Sequence, residues 1–175
     1  MACTLATGRA LPCKDSVGGI KAVWFADYGT LGTLTVDGTD GELTAISGTP
    51  DLFRYDVKGN SSFEQTINAS RENGTSFYTQ TLNLTLTKLD LETRFELIDV
   101  VRARPHVFVE DYNGNYFLLG AVHGAEVTGG TIVTGAAMGD LSGFTLTMTA
   151  EETLPAYFCA SAVVTGNESA SQITP

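Results

Sequence analysis

Apolar and polar residues alternate with a period of two over much of this chain, the spacing of strands with one dry and one wet face. The alternation is strongest in the middle. Phe63, Gln65, Ile67 and Ala69 share one parity, with Glu64, Thr66, Asn68 and Ser70 on the other. From Ser76 to Lys88, Tyr78, Leu82, Leu84 and Leu86 oppose Thr79, Thr81, Asn83, Thr85 and Thr87. Such a strand reaches about 40 Å at roughly 3.3 Å per residue. Between the two runs lies Arg71-Glu72-Asn73-Gly74-Thr75, whose Asn-Gly pair favours a tight reversal. The pattern predicts a long hairpin from about Phe53 to Lys88, longer than one small core covers.

Other elements follow from the same reading. Ile20 to Tyr28 (IKAVWFADY) is apolar on both parities, which suits a strand covered on both sides. TLGTLTV and ELTAIS, separated by Asp37, Gly38, Thr39, Asp40 and Gly41, predict a hairpin. Helical spacing occurs once: Leu91, Phe95, Ile98 and Arg102 form a stripe with Leu97 and Val101 beside it, after Asp90 as N-cap. Arg104-Pro105 ends this helix of about residues 90 to 103, because a residue before proline leaves the α region. HVFVEDY and NYFLLGAV around Asn113-Gly114 predict another hairpin, and GFTLTMTAEE a late strand. Residues 120 to 143, rich in glycine and poor in charge, read as a flexible loop, and the small polar residues beyond Thr165 as a fraying tail. The expectation is one domain over residues 1 to 175, mostly β with one α-helix, an antiparallel β-sandwich or barrel with a long hairpin. An irregular arm of about residues 1 to 19 and a tail of about 166 to 175 flank it.

Composition narrows the function classes. Charged residues make up 17% of the chain against roughly 25% in ordinary domains, and the net charge is -10. A protein held on nucleic acid by phosphate neutralisation is disfavoured, since DNA would be repelled. No apolar run reaches the roughly 18 residues that a membrane-crossing helix needs, and the opening MACTLATGRALPCKD has no secretory pattern, so use in the cytosol is expected. The five Asn-x-Ser/Thr triplets, starting at Asn60, Asn68, Asn73, Asn83 and Asn167, are read as chance products of a Thr-rich composition. Cys3, Cys13 and Cys159 are odd in number and lack CxxC spacing, so reduced, structural thiols are expected.

Chemistry is sparse. Neither His106 nor His123 lies in a nucleophile motif, and both read as structural. Asp111-Tyr112-Asn113-Gly114-Asn115 opens like a calcium loop, but Tyr116 stands where that loop requires Gly, so a hairpin turn is the better reading. The glycines of GAEVTGGTIVTGAAMGD match no phosphate cradle, and Glu151-Glu152 lacks a visible acid/base partner. No catalytic residue, metal or cofactor is expected.

The passage GAEVTGGTIVTGAAMGDLSGFTLTMTAEETLPAYF, with the opening GRALPCKDSVGGIKAVWFADYG, resembles the tail tube proteins of tailed bacteriophages. The resemblance covers the two ends of the chain, and a related neck or tail-terminus ring would look similar. It implies a β-sandwich or barrel of the tail-tube type flanked by one helix. Six copies would close into a ring whose inner strands form a continuous barrel, with rings stacking into a conduit for ejected DNA. The implied partners are further copies and other tail or neck proteins, with double-stranded DNA passing unbound and no membrane involved. The implied location is the virion tail, assembled in the host cytoplasm. On that basis the overlong hairpin and the N-terminal arm are expected to join subunits, through Phe53, Tyr55, Phe63, Ile67, Asn73, Gly74 and Phe77, and through Leu5 and Leu11. Glu64, Asp99, Glu110, Asp111 and Glu126 are the candidate lumen acids. A β-sandwich adhesion module, suggested by the Thr-rich strands with Tyr112 and Tyr116, is the alternative, and a small hydrolase using the histidines comes third.

Overall fold

The computed structural model describes residues 8–11, 13–57 and 60–170. Among these described residues the protein is mostly β, with two sheets and two helices. Strands β1 (Ile20–Ala26), β2 (Leu34–Val36), β3 (Leu43–Ile46) and β4 (Phe53–Asp56) are followed by the long pair β5 (Ser62–Ser70) and β6 (Thr75–Thr87). Helix α1 (Leu91–Arg102) leads to β7 (His106–Asp111), β8 (Tyr116–Leu119), β9 (Glu126–Val133), β10 (Gly143–Glu152) and β11 (Tyr157–Cys159), and α2 (Ser161–Thr165) closes the order. The larger sheet runs β2-β3-β11-β8-β7-β1-β4, and the smaller runs β5-β6-β10-β9, antiparallel throughout.

The two sheets face each other as a sandwich. Leu82, Leu84 and Leu86 of β6 and Phe144, Leu146 and Met148 of β10 meet Val23, Phe25, Val107 and Val109 of the larger sheet in one buried cluster. Burying such side chains stabilises by roughly 1.5 to 3 kcal/mol each. The opposite parity of β1, Ala22, Trp24 and Ala26, packs with Phe108, Leu118, Leu43 and the α2 residues Val163 and Val164 in a second cluster. Strand β1 is thus covered on both sides, as its two-sided apolar pattern implies.

Four expectations need correction. The hairpin begins at Ser62, because Phe53–Asp56 pairs with β1 in the other sheet, Phe25 opposite Phe53 and Val23 opposite Tyr55. A second helix exists, α2, too short for its spacing to stand out. Within the supposed flexible loop, Glu126–Val133 is a regular strand. Gly130 allows this, since a Cβ there would press on the backbone oxygen of Thr145. Finally, residues 166 to 169 are tied down: Leu52 N–H donates to Asn167 O at 3.0 Å, and Ser169 N–H to Leu52 O at 2.9 Å.

Helix α1 starts as expected, Asp90 accepting from the Thr93 amide at 2.7 Å and from its hydroxyl at 2.7 Å. Its packing differs from a simple core stripe. Leu97 is the residue it buries, with Val100 packed alongside, while Leu91, Phe95 and Val101 stay exposed. The spacing identified the helix but not the face that docks, because two apolar flanks compete on twelve residues.

Candidate assembly surface and channel face

The smaller sheet has an unusual outward face. Its inner parity fills the core, so the other parity looks away from the protein. That face carries Thr79, Thr81, Asn83 and Thr85 on β6 and Thr145, Thr147 and Thr149 on β10. Hydroxyls and amides link across the strands: Thr131 Oγ1 and Thr145 Oγ1 lie 2.7 Å apart, Thr147 Oγ1 donates to Asn83 Oδ1 at 2.9 Å, and Asn68 Nδ2 donates to Thr79 Oγ1 at 2.8 Å. Cross-strand pairs of this type contribute roughly 0.2 to 1 kcal/mol each. Threonine suits the position because its branched Cβ favours strands while its hydroxyl keeps a wet face neutral.

No lysine or arginine occurs in any of the four strands. The ionisable groups on the outward parity are carboxylates, Glu64, Glu126 and Glu151, since Glu64 and Glu151 each stand opposite an outward threonine of β6 and Glu126 opposite Thr149. Of the five acids singled out from sequence, the structure therefore brings Glu64 and Glu126 onto one face. Asp99 is exposed on α1 instead. Glu110 is buried in the larger sheet, where Lys21 Nζ donates to its Oε1 at 2.6 Å, so it does not stand free to line a channel. Asp111 organises the β7–β8 turn: its Oδ1 accepts from the Asn113 and Asn115 amides, each at 2.8 Å. Partial burial opposes ionisation of that carboxyl, but these donors and the two asparagine side chains outweigh it and hold it below the usual carboxylate range. The hairpin-turn reading of this segment is what the structure has. Glu151 was missed because strand parity, not motif, is what places it on the outward face.

The edges of the same sheet are open. Among the described residues neither β5 nor β9 has a second neighbour, and neither strand contains lysine or proline, the residues that usually guard an edge against pairing. The hairpin also overhangs. Strand β10 pairs with β6 only from Thr87 to Tyr78, leaving Thr75, Ser76 and Phe77 with β5 alone. Ile67 is 68% exposed, and Asn73, Gly74 and Phe77 are exposed at and near the tip. Gly74 turns the chain with φ of 63° in open space. Among the other residues expected at the interface, Phe53 and Leu11 are exposed, whereas Leu5 lies outside the described residues. Tyr55 and Phe63 pack against the core. Tyr55 sits edge-on to Phe25 at 5.1 Å, and burial, with Glu96 and Asp90 nearby, pushes its hydroxyl up to about 12.

The lateral sides of the sandwich differ. On the β9 side, α1 and β9 bound a groove of about 560 Å³ whose floor includes Leu97, Phe144 and Leu146. On the β5 side, a cleft of about 350 Å³ opens between Phe63 and Phe117, with Glu64 and Asp111 as its charged lining.

Both histidines serve as struts. His106 is buried: its Nε2 accepts from Gly29 N–H at 3.1 Å, which leaves Nδ1 to donate to Gly120 O at 2.6 Å. Burial lowers its pKa, and Tyr28 stacks on the ring at 5.2 Å. His123 is exposed, with Nδ1 3.2 Å from Glu152 Oε2. The buried Glu152 also accepts the Val122 and His123 amides, so it clamps the β8–β9 connection. Of the cysteines, Cys159 is buried with its thiol pushed up to about 12 by burial and by Glu42, but Cys13 is exposed, contrary to the structural role expected of it. Cys3 lies outside the described residues. Among the described residues no group of three potential metal ligands occurs. No protein-family model, curated protein or solved structure matches this chain.

Proposed function

We propose that this chain is a structural subunit that closes into a ring of identical copies and stacks into a tube, the tail tube of a phage virion, through which DNA passes without being held. The carrying observation is the smaller sheet, which combines two unguarded edges with an outward face free of cations. Strands β5 and β9 have nine and eight residues, and they run in opposite directions because the sheet alternates over four strands. Related by rotation, β5 of one copy meets β9 of the next antiparallel, so the sheet continues from copy to copy and the ring leaves no edge. The threonine face then lines the lumen, and its carboxylates repel phosphate within a Debye length of about 8 Å.

Electron microscopy of the purified protein across a concentration series tests this. Six-fold rings or tubes are the expected result. Discrete monomers at every concentration, together with glycan binding, would favour an adhesion module instead. Deleting residues 68 to 75 removes the exposed tip, and the expected product is a folded monomer that does not assemble. Normal rings from that deletion would contradict the role given to the hairpin.

A further inference from the structure

Two Asn-Gly pairs occur in the chain, Asn73-Gly74 in the β5–β6 turn and Asn113-Gly114 in the β7–β8 turn. Such a pair carries its own chemistry. Glycine has no Cβ to hinder its amide nitrogen, so that nitrogen can reach the asparagine Cγ and displace the side-chain nitrogen. In a folded protein the reaction requires an asparagine side chain and a glycine amide that are free to move toward each other. Both asparagines are exposed, so exposure does not separate the two pairs.

Hydrogen bonding does. Asn113 is held at both ends of its side-chain amide: Oδ1 accepts from Val17 N–H at 2.8 Å, and Nδ2 donates to Val17 O at 2.7 Å and to Asp111 Oδ2 at 3.3 Å. The Gly114 amide donates to Asp111 O at 3.3 Å. Nucleophile and target are thus both tied. Asn73 is the reverse. Its side chain makes no hydrogen bond among the described residues, and the Gly74 amide donates to nothing there; the turn is tethered instead through Asn73 N–H, which donates to Ser70 Oγ at 3.3 Å. Gly74 stands in open space, with nothing within 4 Å of where a Cβ would lie. The chain around it is lightly held, because Thr75, Ser76 and Phe77 pair with β5 alone.

We propose that Asn73 is a site of spontaneous covalent modification, converting through a cyclic imide to aspartate and isoaspartate, while Asn113 keeps its amide. The Gly74 nitrogen gives up its proton and attacks Asn73 Cγ; a nitrogen–carbon bond forms, the Cγ–Nδ2 bond breaks, and ammonia leaves with the proton. Water then opens the ring at either carbonyl. Opening at Cγ leaves aspartate, and opening at the main-chain carbonyl leaves isoaspartate, whose main chain runs through Cγ and is one methylene longer. Amide and water become acid and ammonia, and nothing is oxidised or reduced. Either product adds a carboxylate beside Glu72 on a protein whose net charge is already -10. The reaction needs only the single subunit, whatever that subunit assembles into.

The test uses dilute purified protein, shown by size-exclusion chromatography to be single subunits and incubated at pH values from neutral to mildly alkaline. Digests are mapped by mass spectrometry, and isoaspartate is detected by its enzymatic methylation. Asn73 is expected to convert faster as pH rises, because the attacking amide must lose a proton, and Asn113 to lag by at least about tenfold, since its hydrogen bonds must open first. In concentrated urea, where those bonds are gone, the two are expected to convert at similar rates. N73Q, whose cyclic imide would need a larger ring, is expected to show no conversion in the turn. The converted protein is expected to melt like the fresh one while amides of residues 70 to 77 exchange faster, since β10 does not reach the tip. Asn73 intact over a period in which the unfolded chain converts, Asn113 converting as fast as Asn73 in the folded protein, or an amide-to-acid change in the N73Q turn would overturn the site.

Discussion

Replacing Gln80 with leucine removes two side-chain hydrogen bonds that hold the long strand to the rest of the sandwich. Gln80 is 1% exposed on the inner parity of β6, and its Oε1 accepts the Gly120 amide at 3.0 Å while Nε2 reaches Leu154 O at 3.4 Å. Gly120 is itself buried, and with φ of 66° it reverses the chain after β8, so its amide has no route to water. Leucine matches the volume but leaves that donor unpaired, a cost of about 1 to 3 kcal/mol. Added apolar burial returns part of this, on the order of 1 kcal/mol, so a net loss of about 1 kcal/mol, and at most about 2 kcal/mol, is expected. At roughly 2 to 4 °C per kcal/mol for a chain of this size, the thermal midpoint should fall by about 2 to 4 °C, and by at most about 8 °C, read by circular dichroism. Hydrogen exchange at Gly120 should accelerate with it. Q80E sharpens the test, because glutamate keeps the acceptor but puts a charge in a dry site. Its folded-state pKa must lie above the unfolded value of about 4.3. The penalty is therefore full at neutral pH and shrinks as pH falls through the folded pKa. An unchanged midpoint in Q80L, or a Q80E penalty that grows in acid, would refute the reasoning.

Three further outcomes are expected. His106 has its pKa lowered by burial from 6.5, so the unfolded chain takes the proton first; stability is complete above about pH 6.5 and declines as pH falls through the lower folded value. The groups that set this are Gly29 N–H, Gly120 O, the stacked Tyr28 with Arg104 over it, and Glu152, and H106Q should flatten the profile in chemical denaturation at several pH values. Gly130→Ala should weaken β9 by pressing on Thr145 O, seen as faster exchange of the β9–β10 amides with the β5–β6 hairpin unaffected. E126K/E151K should make assembled tubes retain linear duplex DNA, with binding that falls as salt rises by about 0.9 log units per phosphate contact per log unit of salt; unsubstituted tubes that already retain DNA would contradict a repelling lumen.

The long hairpin was legible because alternation over many residues, interrupted by Asn73-Gly74, has few other physical meanings. Its true start was not, since Phe53 and Tyr55 carry the same alternation but pair with β1, a contact set by tertiary packing. Strand β9 hid for the opposite reason. Glycine lowers strand propensity, and the value of Gly130, close approach of two backbones, appears only once β10 is beside it. The acids proposed for a channel face divided the same way. Glu64 and Glu126 sit on regular strands whose parity decides their face, whereas Glu110 is held by Lys21 from a bulge in β1 where the register with β7 shifts. Charge sign was readable along the chain, but charge partnership was not.

The two properties of the smaller sheet are connected by what each would cost alone. Unguarded edges on an isolated protein are an aggregation hazard, which proteins ordinarily remove with lysine, proline or short strands. The larger sheet follows that practice: its edge strands β2 and β4 have three and four residues, and β4 carries Arg54 paired to Asp56. The smaller sheet does not, although lysine at an outward threonine of an edge strand, Thr66 of β5 or Thr131 of β9, would guard it without touching the core. A lysine there would also place a cation on the one face that carries none. Omitting cations therefore leaves the edges free to pair and the face unable to grip phosphate. A closed ring removes the hazard and a DNA conduit uses the face, so the same substitutions that would protect a monomer would damage a tube.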